Sequence, residues 1–343
     1  MALLAAVNLF SDTQTRPTAP MRRAMAEAEV GDEQRLVDPT TNRLQERVAE
    51  LLGHEAALFL PSGTMCNLIA FRLHLRPGGD EAILDRTAHP VSYEAGSPAA
   101  FSGAMLARLD GDGGVFTAEQ VRAAVRPAGD RYAPRSRLVS VEQTTNVGGG
   151  RVWPLEAVRS VLELAHRHEL RTHLDGARLM NAVVASGVPA SDWAGGFDTA
   201  WIDFTKGLGA PVGAVLAASR ELIEEAWRYK QMVGGALRQS GVLAAACLYA
   251  LDHHVDRLAE DHEHARLLAE GIDELPGIEL FRPPETNIVI ARVPDAIGLA
   301  GRLAERGVEV TPLGPDRIRC VTHLDVDRGG IEHALAVLRE VQA

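Results

Sequence analysis

Short apolar strand candidates alternate with helical stretches along most of this chain, and polar residues gather where the strands end. The strands read as Ala56–Leu60, Glu81–Asp85, Ala104–Leu109, Arg137–Glu142 and Arg171–Asp175. Helical apolar spacing marks Thr40–Leu52, Met65–Leu75, Ala118–Val125 and Leu155–His168 between or beside them. Parallel neighbours need a long crossover, usually a helix, so this alternation predicts an α/β layer around a mostly parallel sheet. Ligands in such sheets sit at the carboxyl ends of the strands. Ser62–Thr64, His89, Glu142, Asp175 and Lys206 all fall at or just after those ends, which makes each a candidate for one shared site.

Phe197–Gly213 sharpens that expectation. Strand formers at Thr199, Trp201, Ile202 and Phe204 lead into Thr205-Lys206, and Gly207, Gly209, Ala210, Pro211 and Gly213 follow. A lysine at the end of a buried strand is costly unless its amine is used. Small residues beyond it let a ligand approach closely. An amine that attacks carbonyls fits this pattern, as does a lysine merely capping a strand beside a turn.

Pro61-Ser62-Gly63-Thr64 joins a strand to a helix, a geometry that holds phosphate through free N–H groups and the helix dipole. Neither the P-loop nor the dinucleotide glycine fingerprint is present, which argues against a nicotinamide oxidoreductase. Ser62 could equally be an ordinary N-cap. In HLDGARL, Asp175 and Arg178 read as a local ion pair, or as a carboxylate for a heterocyclic nitrogen with the arginine left for an anion. Lys230 and Arg238 flank the glycines of GGALRQSG, and Arg317 and Arg319 share one face of a strand. His89 reads as a loop residue. Val242–Gly271 reads as one long helical stretch whose His253, His254, His262 and His264 belong to a solvated polar face, so no metal site is expected.

With 343 residues the chain is long enough for two domains. The expected division is an arm (1–18), a large domain (19–245) and a small C-terminal α/β domain (246–343). The last carries strands at Thr286–Val293, Val308–Thr311 and Arg317–Val321 and helices at Ala296–Arg306 and Arg328–Val341. A net charge of −11 argues against broad nucleic-acid or membrane-surface binding. Three widely spaced cysteines form neither a disulfide framework nor a metal motif and point to a reducing cytoplasm. MALLAAVNLF lacks a basic flank and does not read as a signal peptide.

SDTQTRPT, VGDE with DPTTNRL, FLPSGTMCNLIA, LDGARL, KGLGAPVG, GGALRQ and RCVTHLDV occur in order across nearly the whole chain. Together they resemble the low-specificity L-threonine aldolase family of pyridoxal-phosphate enzymes. The resemblance implies the aspartate-aminotransferase-like fold (fold type I) and a homo-oligomer, a tetramer or at least a dimer, with sites shared between subunits. It implies retro-aldol cleavage of a β-hydroxy-α-amino acid to glycine and an aldehyde. Lys206 would form the Schiff base and Asp175 would pair with the pyridine nitrogen. Ser62, Gly63, Thr64 and Thr205 would hold the phosphate, joined by Arg238 from nearby or from a neighbouring subunit. His89 would stack on the ring and is the first candidate for the base that takes the β-hydroxyl proton, ahead of Glu94 and Lys206. Ser11, Arg178 and Arg319 would bind the substrate carboxylate, with Lys230 also near the substrate.

Two departures stand out. The family usually reads ENTHN where this chain has EQTTN, placing Thr145 where a histidine is usual. It usually has a tyrosine in the segment where this chain has Arg35-Leu36-Val37. Arg35 and Thr145 are therefore expected to reshape the side-chain pocket and shift the preferred substrate. Competing readings are another lyase of the same cofactor class, acting by elimination or dehydration, and a non-catalytic α/β scaffold.

Overall fold

The computed structural model describes residues 7–342. The first six residues of MALLAAVNLF lie outside it. Its main sheet has seven strands in the order β2-β8-β7-β6-β5-β3-β4. They are Ala56–Leu60 (β2), Asp80–Asp85 (β3), Met105–Leu109 (β4), Arg135–Glu142 (β5), Arg171–Gly176 (β6), Thr199–Asp203 (β7) and Ala214–Ala218 (β8), with β1 (Val7–Asn8) outside this sheet. Strands β3 to β7 run parallel to one another, while β8 runs antiparallel to both β2 and β7. The expectation of a mostly parallel sheet holds. β8 is absent from the sequence reading because AVLAA is rich in alanine, a poor strand former, and only its burial makes it a strand.

Both faces of the sheet are covered, and the strand period of two divides the side chains between them. Ala57 and Phe59 of β2, with Val215 and Ala217 of β8, join one apolar layer with Leu44, Leu52 and Trp153. Leu58, Leu60, Leu216 and Trp201 join the opposite layer with Cys66 and Ile69 of the helix Gly63–His74.

A second module holds a four-stranded sheet and its own core. Glu279–Leu280 (β9), Ile288–Arg292 (β10), Thr311–Pro312 (β12) and Arg317–Val321 (β13) pair in the order β12-β13-β10-β9. Val308–Glu309 (β11) instead pairs with β1, which brings Val7 and Leu9 into this second core. The stretch Val242–Gly271 is two helices, Gly241–His253 and Leu258–Asp273. They separate because they bury against different cores. Ala244, Ala246 and Cys247 pack in the first, and Ala265, Leu268 and Ile272 in the second. The histidines of the stretch also differ from expectation. His254 and His262 are buried, each with one hydrogen-bond partner, Leu208 O at 2.7 Å and Asn181 Oδ1 at 3.0 Å.

Candidate active site

The site forms where β5, β6 and β7 end. Glu142 lies opposite Asp175 in the sheet register, and Asp175 opposite Trp201. Directly opposed residues project from the same face, so two carboxylates and an indole stand side by side. Glu142 is satisfied by backbone, accepting from His89 N at 2.8 Å and Asn146 N at 2.7 Å. Burial, followed by the neighbouring Asp175, pushes its carboxyl up to about 7. Burial also raises Asp175, against the lowering effect of an Asn67 hydrogen bond and of the His89 and Lys206 charges.

At the end of β7 the chain turns on Asp203. Its Oδ1 accepts from Thr205 N (3.0 Å) and Thr205 Oγ1 (2.8 Å), while Oδ2 pairs with Lys206 Nζ. The lysine amine also stands 5.9 Å from the centre of the Trp201 ring. Thr15 Oγ1 from the N-terminal arm donates to Lys206 O at 2.8 Å. Asp203 was readable in principle, since a carboxylate three residues before the lysine is a charge partner for it.

Ser62 caps the helix Gly63–His74, accepting from Met65 N at 3.3 Å. The amides of Gly63 and Thr64 occupy the first helical positions and have no partner within the helix. Gly63 has a packing reason to be glycine. A Cβ there would lie 2.3 Å from the Trp201 ring.

His89 begins the short helix His89–Ser92 rather than lying in a loop. Its Nδ1 is 2.8 Å from Glu94 Oε1, and Glu94 is buried. Burial alone would lower the imidazole, but the Glu94 hydrogen bond and the Asp175, Glu94 and Glu142 charges reverse this and raise it.

Arg178 does not pair with Asp175. It makes a buried two-point contact with Asp12, Nε to Oδ2 at 2.8 Å and Nη2 to Oδ1 at 2.6 Å. In the sequence Asp12 of SDTQTRPT is legible only as one of several hydrogen-bonding groups of the arm, with Ser11, Thr13 and Thr15. Arg319 donates from Nη1 to Asn146 Oδ1 (2.7 Å) and from Nη2 to Phe10 O (3.3 Å). Its Nε is buried with no partner among the described residues.

Ser11, Ser62, Gly63, Thr64, His89, Asp175, Arg178, Thr205, Lys206 and Arg319 line one cavity of about 470 Å³. Five expected residues do not line it, among them Glu94, which is buried against His89 Nδ1. Thr145 is buried behind it, with its N bonded to Arg151 O. Arg35 is exposed. Lys230 is fully buried, its ammonium 2.7 Å from Glu33 Oε1 but off the directions of a hydrogen bond. Arg238 is exposed and pairs with Asp32 at 3.2 Å. Asn67, which does line the cavity, was unread, although an asparagine within an apolar helix needs buried partners. A larger cavity of about 880 Å³ lies between the helices Pro39–Leu52 and Arg220–Met232 and contains none of these groups.

The Beta-eliminating lyase family model matches residues 8–296. With the fold, this makes the chain a pyridoxal-phosphate-dependent lyase. Within that class it belongs to the low-specificity L-threonine aldolase family. It is 38% identical to low-specificity L-threonine aldolase 1 of Arabidopsis thaliana over 346 residues, 98% of this chain and 97% of that one. It is 40% identical to the low specificity L-threonine aldolase of Escherichia coli (strain K12) over 327 residues, 94% and 95% of the two chains. The threonine aldolase structure from Leishmania major superposes with a TM-score of 0.84 at 22% identity, over 98% of this chain and all of that one (100%), a likeness of fold.

The residues present fit the cofactor. The cavity offers a lysine amine, a buried carboxylate, a capped helix start with unpaired amides and an imidazole on its wall. These match an aldehyde, a ring nitrogen, a phosphate and an aromatic face.

Proposed function

We propose that this chain cleaves β-hydroxy-α-amino acids, threonine among them, to glycine and an aldehyde by retro-aldol chemistry. The observation that carries the reading is one cavity holding Lys206, Asp175, His89 and Arg319 together. When bound, pyridoxal phosphate supplies an electron sink for the Cα–Cβ bond. Lys206 supplies the amine that tethers it, and the ionised Asp175 keeps a proton on its ring nitrogen. Ser62, Gly63, Thr64 and Thr205 seat the phosphate. Arg319 and Ser11, both on the cavity wall, fix the substrate carboxylate and so set the direction of the Cα–Cβ bond. Orientation of this kind contributes on the order of 7–11 kcal/mol in the most favourable intramolecular cases. His89 has Nδ1 engaged by Glu94, which leaves Nε2 to take the β-hydroxyl proton. Arg178, with two nitrogens committed to Asp12, supports the carboxylate site from the side.

We also propose a homo-oligomer in the cytoplasm, a tetramer or a dimer at least. The exposed Arg238, outside its own cavity, supports a phosphate contact made from a neighbouring copy. Three buried free cysteines support a reducing compartment.

The test incubates purified protein with L-threonine, L-allo-threonine, phenylserine and 3-hydroxyaspartate and scores glycine and aldehyde. Release of both, abolished in Lys206→Ala, is the expected result. Pyruvate or another keto acid without glycine would replace this reading with elimination. Arg35 and Thr145 do not line the cavity of their own chain.

A further inference from the structure

Asn67 is 1% exposed and uses its whole carboxamide. Trp201 Nε1 donates to its Oδ1 at 2.8 Å. An indole nitrogen is a donor only, so the atom facing it is the oxygen, and the orientation of the amide follows. His173 Nε2 reaches the same oxygen at 3.0 Å. Burial holds His173 down to about 3, so its single N–H sits on Nε2 and donates to Asn67. His173 Nδ1 then accepts from the Thr199 hydroxyl at 2.8 Å, and that hydroxyl accepts from His74 Nε2 at 2.9 Å. Burial keeps His74 neutral as well, down to about 4. Every donor in the chain has one direction. It ends on the two hydrogens of Asn67 Nδ2, given to Glu94 Oε1 at 2.7 Å and Asp175 Oδ2 at 2.8 Å.

We infer that Asn67 is a positioning residue that holds Asp175 as an ionised acceptor aimed at a cationic ring nitrogen, while the same amide holds Glu94 behind His89. The inference rests on the reading that this cavity binds pyridoxal phosphate. Burial drives Asp175 towards its neutral form, and the Asn67 hydrogen bond is the foremost contact opposing it. Ala177 N secures the other oxygen, Oδ1, at 3.1 Å. Without the amide donor Asp175 takes up a proton more readily, and a neutral carboxyl group no longer holds the ring nitrogen protonated.

Cofactor-free protein is titrated with pyridoxal phosphate and with 1-deazapyridoxal phosphate, followed by absorbance and tryptophan fluorescence. The second ligand keeps aldehyde and phosphate but carries carbon in place of the ring nitrogen. Wild type is expected to prefer pyridoxal phosphate. Asn67→Ala and Asn67→Asp are each expected to cut that preference about tenfold or more, the loss of a hydrogen bond to a charged group. Affinity for the deaza ligand should change little. Asn67→Asp is isosteric and keeps an acceptor towards Trp201 and His173, so it tests the idea even if the alanine variant misfolds. Folded variants that keep the wild-type preference, or lose affinity for both ligands equally, overturn the inference. Wild-type protein that binds neither ligand overturns the cofactor reading itself, and the inference with it.

Discussion

Asp12 and Arg178 meet as a buried two-point ion pair across 166 residues of chain, with contacts of 2.8 and 2.6 Å. The pair joins parts that the sheets leave separate. Val7 and Leu9 just before Asp12 pack in the second core, while Arg178 follows the end of β6 in the first module. Asn287 Nδ2 adds a third contact, to Asp12 Oδ2 at 3.1 Å.

Removing one partner of such a pair leaves an uncompensated buried charge, which costs about 3–5 kcal/mol. Asp12→Ala is expected to lower the free energy of unfolding by that order in urea melts. Burial opposes ionisation of Asp12, but Arg178 outweighs it and holds the carboxyl well below its ordinary 3.8. A depressed acid stabilises the fold above its unfolded value and loses that contribution as pH falls. Wild-type stability should therefore drop below about pH 4, and Asp12→Ala should flatten that drop.

Glu94→Gln should shift the pH dependence of His89. The imidazole is raised in spite of its burial because Glu94 accepts at Nδ1 and Glu94, Asp175 and Glu142 place negative charge around it. Neutralising Glu94 is expected to lower the imidazole, so that its basic form is present at lower pH. The acidic limb of kcat/KM should move down with it. Proton NMR titration of His89 in cofactor-free protein checks the shift apart from catalysis. In wild type, a raised histidine adds stability below its unfolded value of about 6.5, lost as pH rises through the folded one.

How much of this was legible follows from which forces act locally. Lys206, Asp175, Ser62–Thr64 and His89 were found because strand ends and helix starts are short-range features. Asn67, Asp12 and Asp203 were not singled out, since their importance lies in partners. Asn67 reaches residues up to 134 positions away, which no local pattern records. Lys230 carries the right charge for a site but is buried against Glu33, while Arg35 and Arg238 stand exposed outside their own chain's cavity, Arg238 beside Asp32. β8 and the break between the helices Gly241–His253 and Leu258–Asp273 depend on burial rather than propensity, and were missed for the same reason.

Gly63→Ala should harm both stability and cofactor binding. The added methyl would meet the Trp201 ring at 2.3–2.5 Å, and both sides of that contact are fixed. The indole is held by Asn67 at 2.8 Å, and the helix start is held by the Ser62 cap. Overpacking of this kind costs about 1–3 kcal/mol. The helix start would have to shift, moving the Gly63 and Thr64 amides away from the phosphate. A lower melting temperature and a weaker dissociation constant for pyridoxal phosphate are expected together. An unchanged dissociation constant would remove this helix start from the phosphate site.

Thr145→His restores the residue usual in ENTHN, and the surroundings of Thr145 argue that it will not improve the enzyme. Thr145 is 2% exposed, and its backbone is pinned by Arg151 O at 3.1 Å. Two glycines leave it only the room of a threonine. A Cβ at Gly114 would lie 2.8 Å from its Cγ2, and one at Gly148 would lie 2.3 Å from its Oγ1. An imidazole needs more volume than this space supplies, so the side chain must displace Gly114 and Gly148 or push Asn146 from the wall of the site. Either route overpacks the region at about 1–3 kcal/mol. The second would also disturb the 2.7 Å contact of Asn146 with Arg319, and with it the carboxylate anchor. The expected outcome is a lower melting temperature and a raised KM for L-threonine. A variant that melts with wild type and cleaves L-threonine faster would show that the loop can open to admit the ring.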